Sequence, residues 1–394
     1  MNLPVAPAPF APQAASSVAS PSLPMVPTQA PTAELAPEEI AEMQSEVRAL
    51  AAERGAVILA HNYQVPEVQD VADYVGDSLG LSRQAAAAEG EAIVFCGVHF
   101  MAETASILCP EKTVLIPDLD AGCSLAASID AEQLALWRAR YPEGVVVMYV
   151  NTTAEVKALT DYCCTSANAV QVVRHIYDTH GPDTEILFGP DMWLGAYVER
   201  ELGRRMHVWD GECHVHAGIR PTDIAATRAA HPGADFLIHP ECGCTTSVME
   251  FLAAGDIAAE GVHMLSTGGM LKYAEQAEQR AAAGAVEGAG VERWVDGEGG
   301  AATPDGDGTA GESGMGKRRE VVVATETGML YPLRMAAPDI DFIPANAEAS
   351  CVYMKMITLP KLRDSLREMK FEVRVPPEIA ERARVPIDRM VAIG

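Results

Sequence analysis

Three cysteines stand at matching places in a chain of 394 residues. Cys123 sits in "LDAGCS", Cys213 in "ECHVHAG" and Cys351 in "EASCVY", each after an apolar strand and in a short loop containing Gly, Ala or Asn. If these stretches are copies of one unit around a shared centre, the three thiols converge. Thiolates are soft iron ligands, and a purely redox cluster normally takes four of them. Three suit a 4Fe-4S cluster with one iron left open. An open iron is a Lewis acid that binds a substrate hydroxyl or carboxylate and promotes loss of water. Buried thiols are common as plain core, but equivalent placement in three stretches favours ligands.

Two further constellations keep the same rhythm. The first is a pair of polar residues two apart after an apolar run: His61 and Tyr63, Tyr149 and Asn151, His239 and Glu241. Residues i and i+2 on a strand face one side, so each stretch presents two hydrogen-bonding groups together. His, Tyr and Glu are residues of general acid–base chemistry. The second is a hydroxyl at the start of a helical pattern: Ser78, Ser166, and Ser266 with Thr267. Such residues cap helices very often. A helix N-terminus also attracts anions through free N–H groups and its dipole, so three of them around one cavity would hold carboxylates or a phosphate. His214 and His216 flank Cys213, and His216 is expected to line the same cavity.

Six cysteines have no counterpart across the copies. Cys96, Cys109, Cys163 and Cys164 read as core. Cys242 and Cys244, in "HPECGC", form a Cys-x-Cys pair, poor in geometry for an intramolecular disulfide yet able to bind metal. They are not expected to ligate the cluster, and a redox or metal role for them stays open.

The elements that must position these groups repeat three times. "VILAHNY", "VVVMYVN" and "DFLIHPE" each begin a series of apolar strands alternating with helical patterns. His61 to Cys123 spans 62 residues, Tyr149 to Cys213 spans 64 and His239 to Cys351 spans 112. The excess in the third copy is a Gly-rich insertion at 281–316, with eleven glycines in 36 positions, read as a flexible surface loop. Strands alternating with helices predict an α/β fold of three similar parallel-sheet αβα domains, in which function gathers at the C-terminal ends of strands. The expected divisions are a disordered Pro/Ala-rich tail at 1–36, copies at 37–140, 141–230 and 231–370, and a C-terminal segment at 371–394 packing on them. The copies are expected to surround a pseudo-threefold axis; three separate flavodoxin-like domains are the alternative.

Composition excludes several function classes. The net charge of −26 repels nucleic acid and anionic membranes. No apolar run approaches the ~18 residues of a membrane span. The first basic residue is Arg48, so a secretory start is not seen. A cytoplasmic location is expected. An anionic substrate must then be held by local features rather than the overall field.

Taken together, "LAHNYQVPEVQDVADYVGDSLGLSRQA", "GVHFMAETASILCP", "YVNTTAEVKALTDYCCTSANAV", "FGPDMWLGAYV", "HPEC", "STGGM" and "KMITL" closely resemble the quinolinate synthases, over nearly everything from about 50 to 370 apart from the insertion. The resemblance implies three α/β domains about a pseudo-threefold axis and a 4Fe-4S cluster on three cysteines, here Cys123, Cys213 and Cys351. It implies condensation of iminoaspartate with dihydroxyacetone phosphate to quinolinate, phosphate and two waters, in de novo NAD biosynthesis. It implies active-site roles for His61, Tyr63, Ser78, Tyr149, Asn151, Ser166, His239, Glu241, Ser266 and Thr267. Tyr63, Tyr149, His239 and Glu241 are the catalytic candidates, with Glu241 and Tyr63 for proton transfer. An aspartate oxidase or dehydrogenase is the implied supplier of the imine. The rival readings are a cluster-bearing hydro-lyase for another hydroxy acid, an iron–sulfur redox carrier drawing a fourth ligand from Cys242 or Cys244, and a zinc site within residues 239–244.

Overall fold

The computed structural model describes residues 35–255, 259–282 and 318–394. The expected tail, but for residues 35 and 36, and the expected insertion, but for 281 and 282, lie outside the described residues.

Among the described residues, twelve short strands form three sheets. The first holds β1 (Ala56–His61), β2 (Tyr74–Gly76), β3 (Ala92–Cys96) and β4 (Thr113–Leu115). The second holds β5 (Val145–Tyr149), β6 (Tyr162–Cys164), β7 (Ile186–Gly189) and β8 (His207–Val208). The third holds β9 (Asp235–Ile238), β10 (Val262–Met264), β11 (Arg319–Ala324) and β12 (Ile340–Pro344). All pairings between these strands are parallel. Strand order is the same in each: β2-β1-β3-β4, β6-β5-β7-β8 and β10-β9-β11-β12. The repeat read from the sequence is therefore a repeat of topology.

The central strands are continuous apolar runs because helices cover both faces. In β3, "AIVFC" is buried throughout, and in β11 the last four residues of "REVVVA" are buried. Registers agree as well: Ala60 pairs with Cys96, Met148 with Gly189 and Ala324 with Ile238. The two central strands of each sheet thus end side by side. The residues that follow emerge at a common edge, where a parallel sheet places its functional groups.

The last helix, Pro377–Ala392, packs on β6 and on helices Ser78–Ala87, His99–Leu108 and Ala154–Lys157, so it spans the first two repeats. Arg83 donates to the carbonyls of Val391 and Gly394, and Asn168 donates to those of Met390 and Ile393. Among the described residues, no helix is long and apolar enough to cross a membrane.

Candidate active site

One cavity takes lining from all three repeats. Cys123, Cys213 and Cys351 line it, as do His61, Tyr63, Ser78, Tyr149, Asn151, Ser166, His239, Glu241 and Thr267. His216 lines it too, as the sequence led one to expect. Ser266 is not among the lining residues; its hydroxyl accepts from the Gly269 N–H at 3.1 Å and so caps the helix Thr267–Ala282.

The three cysteines share one local design. Each opens a single turn: the carbonyls of Cys123, Cys213 and Cys351 accept from the N–H groups of Ala127, Ala217 and Lys355, four residues on. Each thiol takes a hydrogen bond from the N–H three residues on, at Ala126, His216 and Met354. Burial pushes the Cys123 thiol up to about 12, and those backbone donors oppose the rise. Burial also raises Cys213, followed by the charges of Glu241, Cys123 and Cys351. Burial raises Cys351 as well. Three half-buried thiols that repel one another as thiolates, with backbone donors beside the sulfurs, form a donor set that becomes stable when a cation deprotonates it.

The polar pairs at the strand ends reach the same space. Nδ1 of His61 accepts from the Tyr63 N–H at 3.2 Å, and Nδ1 of His239 accepts from the Glu241 N–H at 3.4 Å. An accepting Nδ1 leaves the proton on Nε2, and Nε2 of His239 lies 3.1 Å from the Ser166 hydroxyl. Burial holds His61 down to about 3, helped by Lys355 and His216. Burial lowers His239 strongly, with His216 and His61 adding to it, and brings His216 to about 3. The imidazoles are neutral at physiological pH.

Tyr149 donates to Oε1 of Glu241. Burial, then the nearby Asp191, pushes Glu241 far above the carboxylate range, while the Tyr149 bond opposes this. Burial and Glu241 raise Tyr149, and the same two causes raise Tyr63. The Tyr63 hydroxyl lies 2.7 Å from Thr325 Oγ1 and 3.3 Å from His216 Nε2. Nδ1 of His216 has no hydrogen-bond partner and stands 3.5 Å from Glu241 Oε2. One ligand atom each from Cys213, His216 and Glu241 lie within 4.8 Å of one another.

Capping by the helix-start hydroxyls is only partly as expected. Asp77, not Ser78, caps the helix Ser78–Ala87 by accepting from the Gly80 N–H at 2.7 Å. Ser78 is thus left facing the cavity at a helix N-terminus. Ser166 precedes the helix Ala169–His180 and engages His239 instead.

Cys242 and Cys244 are joined as a disulfide, against the expectation that a Cys-x-Cys pair closes poorly. The backbone turns tightly at Gly243, bringing the two Cα atoms to 5.2 Å, within the usual disulfide range. Gly243 is needed there, since a Cβ would meet the Ala217 carbonyl oxygen at 2.8 Å. Both cysteines are fully buried and neither lines the cavity. The fourth ligand of the redox-carrier reading and the thiol ligands of the zinc reading are therefore missing from the cavity lining.

Sequence reasoning missed Glu326, Ser124, Tyr353 and Asp77, all lining the cavity, Thr325, which contacts the Tyr63 hydroxyl, and Asp191, which accepts from the Cys213 N–H. A second alignment of the repeats would have exposed two of them. Asp191 and Glu326 each stand two residues past the end of their sheet's second central strand, next to the strand that ends in the polar pair.

Known proteins match this chain over most of its length. A family model described as "NadA: Quinolinate synthetase A protein" matches residues 45–291 and 312–392. A quinolinate synthase from Mycobacterium tuberculosis is 51% identical over 351 residues, 89% of this chain and 88% of that protein. One from Thermus thermophilus is 51% identical over 352 residues, 89% of this chain and 97% of that protein. One from Mycobacterium sp. is 52% identical over 362 residues, 92% and 94% of the two chains.

Proposed function

The chain belongs to the quinolinate synthase family, which places it in NAD biosynthesis, and from that premise we propose that it condenses iminoaspartate with dihydroxyacetone phosphate to give quinolinate, phosphate and two waters. The observation that carries this reading is the meeting, in one cavity, of one cysteine from each repeat with the polar strand ends of all three. Cys123, Cys213 and Cys351 would hold a 4Fe-4S cluster, since the donor set is soft, numbers three and already receives backbone N–H bonds at each sulfur. When bound, the cluster supplies an iron with an open position, a Lewis acid suited to dehydration.

The chain's own residues do the rest. Ser78 and Thr267 stand at helix N-termini and bind substrate carboxylates or phosphate, and Ser166 presents its hydroxyl beside them. This local arrangement lets a protein of net charge −26 hold an anion. His61 and His239, neutral and protonated on Nε2, donate to substrate oxygens. Asn151 carries a side-chain oxygen with no protein partner and is ready to accept from a substrate N–H. Glu241, hydrogen-bonded to Tyr149, moves the proton released or taken up at the condensing carbon. Tyr63 exchanges a proton along its hydroxyl contacts with Thr325 and His216. An aspartate oxidase or dehydrogenase is the class of enzyme that would supply the imine.

The test is an anaerobic assay of the iron–sulfide-reconstituted chain with both substrates, following quinolinate, with iron and labile sulfide measured on the same sample. Quinolinate formed in proportion to cluster content is the expected result. A cluster-loaded chain that leaves both substrates unchanged would refute the reading and favour another hydro-lyase.

A further inference from the structure

We propose that Asp191 and Glu326 are positioning residues for the iron–sulfur ligands: in two of the three repeats a buried carboxylate caps a helix with one oxygen and fixes the backbone of the cluster cysteine with the other. The proposal rests on the cluster reading above.

The two sites are built alike. Asp191 stands two residues past β7 and Glu326 two residues past β11; Asp191 is the N-cap of the helix Met192–Leu202 and Glu326 that of the 3₁₀ turn Thr327–Met329. Oδ1 of Asp191 accepts from the N–H groups of Trp193 at 2.7 Å and Leu194 at 3.0 Å. Its Oδ2 accepts from the Cys213 N–H at 3.2 Å. Oε2 of Glu326 accepts from the Gly328 N–H at 2.7 Å, and its Oε1 accepts from the Cys351 N–H at 2.9 Å. A helix cap needs only one oxygen, and serine or threonine supplies it. A carboxylate with 0% or 1% exposure is a costly cap unless its second oxygen has work to do. In both repeats that work is the same, and the fixed group is the amide of the residue whose sulfur must meet two others.

Surrounding residues hold the second clamp in place. Lys355 pairs with Glu326 at 3.0 Å and donates to the carbonyl of Tyr63. Gly328 leaves room for this, because a Cβ there would meet Glu326 Oε2 at 2.7 Å and both Lys355 Nζ and the Tyr63 carbonyl at 2.8 Å. The backbone of Cys351 is thereby tied to that of a catalytic candidate.

The first repeat lacks the device. Its equivalent cap is Val98, which makes no side-chain cap bond. The Cys123 loop is held instead by Ser124, whose hydroxyl lies 2.6 Å from Nδ1 of His214, the residue after Cys213. Asp191 therefore sets Cys213 directly and the Cys123 loop through it, whereas Glu326 sets Cys351 alone. Loss of Asp191 disturbs two ligands and loss of Glu326 one.

The test uses the full chain, reconstituted anaerobically with iron and sulfide. Asp191→Ser keeps a cap oxygen but falls short of the Cys213 N–H. Glu326→Gln keeps one accepting oxygen in place of two. Asp130→Ser alters an exposed carboxylate cap, on the helix Ala131–Arg140, with no cysteine attached. Iron and labile sulfide per chain, bleaching of the cluster by an iron chelator, and the electron paramagnetic resonance of the reduced cluster are recorded. Bleaching about tenfold or more faster than wild type is expected for Glu326→Gln, the effect of one lost charge-assisted bond, and faster still for Asp191→Ser, with altered resonance in both. Asp130→Ser should match wild type. Should Asp191→Ser fail to fold, Glu326→Gln decides alone. Bleaching within twofold of wild type in the folded variants, or equal acceleration in Asp130→Ser, overturns the proposal. A wild-type chain that takes up no cluster at all overturns instead the reading on which the proposal rests.

Discussion

Acid should weaken the fold of this protein through His61, and the size of the effect follows from the burial of its ring, with the charges of Lys355 and His216 adding to it. Nδ1 of His61 accepts from the Tyr63 N–H, so a proton on that nitrogen would face a donor inside a closed site. The imidazole titrates near 3 in the folded chain and near 6.5 when unfolded. Between those values the unfolded chain carries the extra proton, and stability falls as pH falls. At pH 5 the loss from this one residue is about 2 kcal/mol, growing by about 1.4 kcal/mol per further unit until pH approaches 3. His61→Asn offers an oxygen near the place of Nδ1 and cannot titrate. Denaturant unfolding of the cluster-free chain at pH 7.5, 6 and 5 should show a steep decline in the wild type. The variant's decline should be shallower by about 2 kcal/mol across that range. Parallel declines in the two chains would refute the argument and mean that His61 is protonated in the fold or is freely hydrated.

Four other outcomes are expected. Cys123→Ala, Cys213→Ala or Cys351→Ala should each abolish iron and labile sulfide after reconstitution, whereas Cys242→Ala should retain both; chemical analysis of the purified chains decides. Tyr149→Phe removes the hydroxyl bound to Glu241 and should cut quinolinate formation by roughly 10²–10⁴-fold with the melting temperature little changed. Phe188 is fully buried in β7, and Phe188→Ala should cost about 3–5 kcal/mol in denaturant unfolding. Deleting residues 292–311, which fall between the two segments matched by the family, should leave cluster content and turnover within about twofold of wild type.

Much of the fold was legible because parallel sheets write themselves as apolar runs, and three such series with matching endings leave little freedom. The cysteines and the polar pairs were legible for the same reason: repetition makes a short local signal significant. What escaped notice depends on distance in the chain. Asp191 reaches Cys213 across 22 residues and Glu326 reaches Cys351 across 25, and neither contact leaves a periodic trace. The sequence offers Ser78 as a cap, but Asp77 beside it takes that bond; adjacent residues compete for one N–H, and only backbone geometry decides. Cys-x-Cys spacing argues against a Cys242–Cys244 bond, yet the turn at Gly243 brings the two Cα atoms to 5.2 Å and the bond closes. The domain limits drawn from the repeats, and the axis relating them, stand as expectations of the sequence.

The final helix also has a practical consequence. Arg83 and Asn168 grip the carbonyls of residues 390–394, and they belong to the same segments as Ser78 and Ser166, the hydroxyls that face the cavity. A segment fused after Gly394 would bear directly on that grip. A purification handle placed there is expected to load the segments that carry two cavity-facing hydroxyls, and turnover compared with and without the handle would register it.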